Sequence, residues 1–154
     1  MTEQSKFPHD RVVFFSDAVF AIAITLLVIE IKVPSHQQLH DLGTAAALQK
    51  LTPLFIGYFV SFLVTALFWK YHLQLGQFIK KFDNKMVWLN IALLMFVGLM
   101  PFSTALYSEN FGDNAAFNFY CLNLTAIGLM SFWMTSYTAK KEKLEETQGS
   151  MLCV

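Results

Sequence analysis

Asp17 stands inside an otherwise apolar run, Val12–Ile31, together with Ser16, Thr25 and a second acid, Glu30. An acid within a membrane helix costs about 2.5–3.5 kcal/mol on insertion scales, so it must face protein or water. At about 100° per residue, Asp17, Ala21, Ile24 and Val28 share one face of such a helix. Ile22, Leu26 and Ile29 share another, roughly opposite, with Phe15 and Arg11 below them and Thr25 between the two faces. The polar face has partners at its own depth. Asp17 lies near the start of its run, His72 follows the next apolar run, and Asn90 lies about one turn into the third. An Asp17–His72–Asn90 cluster with Ser16 is expected to lock helices together by hydrogen bonds. The functional alternative for the same residues is a proton relay or an ion site. The apolar face also carries two readings. Ile22, Leu26 and Ile29 are helix-packing residues, or they form a hydrophobic constriction that gates a pore by dewetting.

These residues need spans to hold them, and the composition supplies them. Of 154 residues, 55% are apolar and 14% charged, with a mean hydropathy of +0.46. An ordinary soluble domain is about 25% charged. Sixteen Phe exclude a disordered chain, and two distant cysteines, Cys121 and Cys153, exclude a disulfide scaffold. Eleven basic residues balance eleven acidic ones, which leaves no field for nucleic acid. Besides 12–31, the runs 51–69, 86–106 and 115–138 carry no charge at all. A helix needs about 20 residues to cross the hydrocarbon layer. The chain therefore reads as an all-α membrane protein, a bundle of four transmembrane helices in a domain spanning 12–138. Residues 1–11 precede it and a tail, 139–154, follows it.

Local signals refine the spans. Pro53 suits the first turn of the second helix, and Asp113 with Asn114 offers a cap for the fourth. Pro101 is expected to kink the third helix or end it early. Leu39–Leu48 is expected to form a small amphipathic surface helix. Nothing resembles a cleavable signal peptide, and no room is left for a soluble catalytic domain, so the chain does not read as an enzyme. With the N-terminus inside, Lys6, Arg11, Lys70, Lys80, Lys81, Lys85, Lys140, Lys141 and Lys143 are inside, and only Lys32 and Lys50 are outside. Both termini are therefore expected in the cytoplasm. Glu30, Asp41, Glu109 and Asp113 then form an acidic outer mouth that concentrates cations. His36 and His40 have metal-ligand spacing but no third ligand beyond Asp41, so no metal and no cofactor are expected. Trp69, Trp88 and Trp133, with Tyr71, Tyr107 and Tyr137, read as interfacial anchors.

Arg11 followed by Phe15-Ser16-Asp17-Ala18 resembles the signature of the transmembrane protein 175 family, the lysosomal potassium channel and its prokaryotic relatives. The match continues through Ile22, Thr25, His72, Asn90-Ile91-Ala92 and Leu99-Met100-Pro101. The resemblance implies a potassium-permeable cation channel that is a homotetramer, with the first helix of each subunit lining the pore. It implies no carbonyl-lined filter, and this sequence has no Thr-Val-Gly-Tyr-Gly loop. It places Ile22 at the narrowest ring, Leu26 and Ile29 at further rings, and the Thr25 hydroxyl beside the constriction. It also implies that Arg11, Ser16, Asp17, His72 and Asn90 form the network holding the pore helix. The family usually has six spans per repeat and this chain shows four, so it reads as a short relative or a truncated one. The expected partners are copies of itself, the bilayer and monovalent cations, in the membrane of a prokaryotic cell. Two other readings are a small proton-coupled transporter or transporter subunit using Asp17, His72 and Glu30, and a non-conducting membrane assembly factor.

Overall fold

The computed structural model describes residues 8–79 and 82–151. In them seven helices follow one another: α1 (His9–Ile29), α2 (His36–Leu42), α3 (Thr44–Lys50), α4 (Thr52–Phe78), α5 (Asn84–Gly98), α6 (Met100–Glu109) and α7 (Asn114–Met151). Among the described residues, four segments are long and apolar enough to cross a membrane: His9–Ile29, Thr52–Phe78, Asn84–Glu109 and Asn114–Lys141. The fold is an all-helical membrane bundle. α1 packs against α4, α5 and α6, and α7 closes the bundle against α5 and α6.

The helix ends follow local chemistry. Pro53 sits in the first turn of α4, where no intrahelical N–H bond is lost. The Asp113 carboxylate accepts the Ala115 N–H at 3.0 Å and starts α7. The third span breaks between α5 and α6, because Pro101 cannot donate to the preceding turn. Leu99 closes α5 with a bond to the Phe96 carbonyl at 3.2 Å, and the chain resumes as helix at once.

Three bounds differ from those read in the sequence. α4 runs to Phe78 rather than stopping near Trp69, because Tyr71, Leu73 and Leu75 extend its apolar character beyond Lys70. α7 continues as helix to Met151, about 57 Å at ~1.5 Å per residue, so the tail from 139 to 151 is a helical extension of α7, while the apolar span itself ends at Lys141. The surface segment is two helices rather than one. Ser35 starts α2 with a reciprocal capping box to Gln38. Gly43 separates α2 from α3 at φ 77 and ψ 152, a conformation that only glycine adopts without strain.

The core runs along the bundle axis. Phe20 and Ala23 of α1 meet Leu75 of α4, Leu93 and Val97 of α5, Met100 of α6, and Ile127 and Met134 of α7. The outer surfaces of the helices expose Phe, Leu, Ile and Trp, as lipid-facing helices must.

Candidate functional site

α1 is the element whose two sides differ most. Ser16, Phe20, Ala23 and Leu27, at helical spacing, are its buried stripe, each at most 2% exposed. Round the helix, Ile22, Leu26 and Ile29 are 58%, 40% and 67% exposed, continued by Phe15 toward the start. Ile24 is half-buried, and Ala21 and Val28 are exposed, so the covered stripe lies one residue before the face assigned from Asp17. Ser16 lies on that stripe against α5, and its hydroxyl meets the Asn90 amide there.

The five residues expected to form one polar network are divided among separate contacts. Asn90 Nδ2 donates to Ser16 Oγ at 2.9 Å, and the Ser16 hydroxyl itself lies 2.8 Å from the Val12 carbonyl. Both side chains are at most 1% exposed, so this is a fully dry α1–α5 tie. Asp17 accepts the Trp69 indole N–H at 3.0 Å, which joins α1 to α4. His72 is buried with its ring tilted against Phe20, centroids 5.6 Å apart. Among the described residues it hydrogen-bonds to neither Asp17 nor Asn90, although the Asp17 carboxylate lies within electrostatic reach of its ring. Arg11 is exposed and makes no ion pair among the described residues. The Thr25 hydroxyl donates back to α1, near both the Ala21 carbonyl (3.0 Å) and the Ile22 carbonyl (2.9 Å). Thr25 itself is exposed.

At the other end the four acids stand in different environments. Glu109 pairs with Lys32 at 3.2 Å, which straps the exit of α1 to the end of α6. Asp113 is the α7 cap, and Asp41 lies 3.5 Å from His40. Glu30 caps α1 by its backbone and makes no ion pair among the described residues. Among the described residues no group of three or more His, Cys, Asp or Glu gathers to hold a metal.

Several contacts were not foreseen. Trp69 is a hydrogen-bond donor to Asp17, not only an anchor. Its position three residues before His72 put it on the same side of α4, which was the available signal. His9 reaches the Gly76 carbonyl with Nε2 at 3.0 Å and ties the start of α1 to the end of α4. A second dry cluster joins α4, α6 and α7: Thr104 donates to Ser61 at 2.8 Å, and Ser61 lies 3.1 Å from the Tyr120 hydroxyl. Its members are single Ser, Thr and Tyr residues in apolar runs, with nothing in their spacing to link them.

Four apolar spans tied by buried Ser, Thr and Asn side chains define a multi-span helical membrane protein. Residues 11–101 match the family model described as the endosomal/lysosomal potassium channel TMEM175. The chain belongs to the TMEM175 family. A potassium channel of Chamaesiphon minutus is 40% identical over 99 residues, covering 64% of this chain and 49% of that protein. The endosomal/lysosomal proton channel TMEM175 of Gallus gallus is 30% identical over 147 residues, covering 88% of this chain and 29% of that one. The chain thus spans about half the length of the bacterial relative and less of the vertebrate one. The crystal structure of a lysosomal potassium-selective channel TMEM175 homolog from Chamaesiphon minutus superposes with a TM-score of 0.81 at 31% identity, covering 93% of this chain and 78% of that one.

Proposed function

We propose that this chain conducts monovalent cations, potassium among them, as a homotetramer in which α1 of each copy lines a central path. The observation that carries the reading is the uncovered α1 stripe of Ile22, Leu26 and Ile29, set against a closed core on the buried side of the same helix. Four such stripes facing one axis make successive apolar rings. Ile22, with the Thr25 oxygen one turn on, is the proposed neck. A narrow apolar neck expels water, because nothing in it can hydrogen-bond, and an ion crossing it must shed hydration without replacement. The Thr25 lone pairs then offer the polar contact nearest the neck. Asp17, His72 and Asn90 hold α1 in position around this path, through the ties to Trp69, Phe20 and Ser16; Arg11, exposed at the start of α1, is the one member of the expected network without such a tie among the described residues. Glu30, with the partly neutralised Glu109 and with Asp41 and Asp113, sets the charge of the outer mouth. The lysine and arginine distribution supports cytoplasmic termini, and the bacterial relative supports a prokaryotic membrane. No chemical step and no cofactor is assigned.

The relatives named above are called potassium channels in bacteria and a proton channel in chicken, so the test reads both ions. Purified chain in liposomes is assayed for potassium and proton flux, with Ile22→Asn and Ile24→Asn beside it. Ile22→Asn should let water remain in the neck, raise current and reduce discrimination among potassium, sodium and protons. Ile24→Asn, at a half-buried position, should instead lower folded yield. Increased flux from Ile24→Asn with none from Ile22→Asn would reverse the assignment of the α1 faces. A flux that saturates and requires a proton gradient would favour the carrier reading through Asp17, His72 and Glu30. Absence of flux in every variant and in the parent would remove the channel reading.

A further inference from the structure

At the end of the bundle that carries the α4–α5 connection, the first turns of α5 and the membrane-exit turns of α7 leave a hollow of about 370 Å³. Asn84, Lys85, Trp88, Leu89 and Tyr137 line it. Its chemistry changes along its length. Trp88, 64% exposed, and Leu89 form an apolar wall inside the span, whereas Lys85 is exposed at its mouth. Lys140, also exposed, follows Tyr137 within one turn of α7.

The acid behind this hollow is already compensated. The Asp83 carboxylate accepts the Met86 N–H at 2.9 Å and the Tyr137 hydroxyl at 2.7 Å, and it pairs with Lys141 at 3.3 Å. Burial pushes this carboxyl up, but the Met86, Tyr137 and Lys141 donors outweigh that effect and hold it below its ordinary value. Lys85 and Lys140 make no ion pair among the described residues, and the Trp88 indole N–H has no acceptor among them. An exposed apolar wall therefore ends in cations without an ion pair among the described residues and a spare N–H donor, at the end of the apolar spans.

We propose that this hollow binds an anionic glycerophospholipid of the surrounding leaflet, its phosphate on Lys85 and Lys140 and an acyl chain along Trp88 and Leu89. Charge complementarity selects the headgroup, because a zwitterionic choline lipid would set its ammonium beside the two lysines. The larger apolar groove between α4 and α7, about 680 Å³ and lined by residues such as Val64, Leu67, Phe68 and Phe132, contains no basic residue in its lining. It accepts acyl chains without choosing among headgroups.

The test uses the full chain in liposomes with dibrominated lipid, which quenches tryptophan on contact. Dibromo-phosphatidylglycerol should quench more strongly than dibromo-phosphatidylcholine, and Trp88→Phe should remove the difference while Trp69 and Trp133 remain. Each of Lys85→Gln and Lys140→Gln should reduce the preference about fivefold. Lys50→Gln, at the opposite end of the bundle, should leave it intact, and the Lys85→Arg/Lys140→Arg pair should preserve it. A preference that survives Lys85→Gln/Lys140→Gln, or a difference that survives Trp88→Phe, would overturn the proposal. So would displacement of the brominated lipid by soluble glycerol 3-phosphate alone, since the site would then read a free anion and not a lipid.

Discussion

Removing the Ser16 hydroxyl should destabilise the protein more than removing the hydroxyl and its partner together. Asn90 is 1% exposed, and among the described residues its amide meets only Ser16. Ser16→Ala leaves that amide dry and unpartnered, at a cost of about 1–3 kcal/mol. Interhelical hydrogen bonds in membranes average about 0.6 kcal/mol and reach about 1.7, because the separated helices also find partners. The expected loss is therefore about 1–2 kcal/mol, a factor of about 5–30 in the folded ratio. Asn90→Val removes the amide but leaves the Ser16 hydroxyl 2.8 Å from the Val12 carbonyl, so no donor is orphaned. Valine also fills much of the space, and its cost should stay below about 1 kcal/mol. The double variant Ser16→Ala/Asn90→Val should then be more stable than Ser16→Ala alone. Unfolding of purified protein in mixed micelles, titrated with a denaturing detergent, measures all four corners of this cycle. If the double variant loses the sum of the two single losses, the pair is not coupled and the argument from the dry amide is wrong.

Asp17→Ala should lower folded yield more than it alters ion preference, since it removes the acceptor of the Trp69 indole, while Asp17→Asn keeps an acceptor and should recover most of the yield; altered selectivity with normal assembly would place Asp17 in the path. Gly57→Ala should cost about 1–3 kcal/mol, because a Cβ there collides with the Ser108 hydroxyl, and Gly57→Ala/Ser108→Ala should recover part of it in the same unfolding assay. The lowered Asp83 carboxyl contributes stability that is fully present above its unfolded value of about 3.9 and is lost as pH falls through its lower folded value. Asp83→Asn should flatten the acid limb of stability measured against pH and leave the neutral limb's slope unchanged.

The sequence by itself determined the number of spans and most of their starts. Apolar runs of membrane length cannot be satisfied in water, and Pro53, Asp113 and Pro101 act within one turn of their own positions. It also singled out Ser16, Asp17, His72 and Asn90, because polar groups in such runs need partners and the connectivity sets their depths. What it could not decide was which partner each would take. Depth alone allowed one cluster, and rotation about the helix axes chose the direct contact of each member: Ser16 turned to Asn90, Asp17 to Trp69, and His72 to Phe20. The same rotation left Ile22, Leu26 and Ile29 uncovered, a fact that periodicity could not distinguish from packing. Likewise, Ser61, Thr104 and Tyr120 became one cluster, and Asp83 joined Lys141 and Tyr137, only when distant helices were laid side by side. Azimuth and neighbour choice are tertiary quantities, set by how side chains of different helices fit, and no single helix carries them in its own residues.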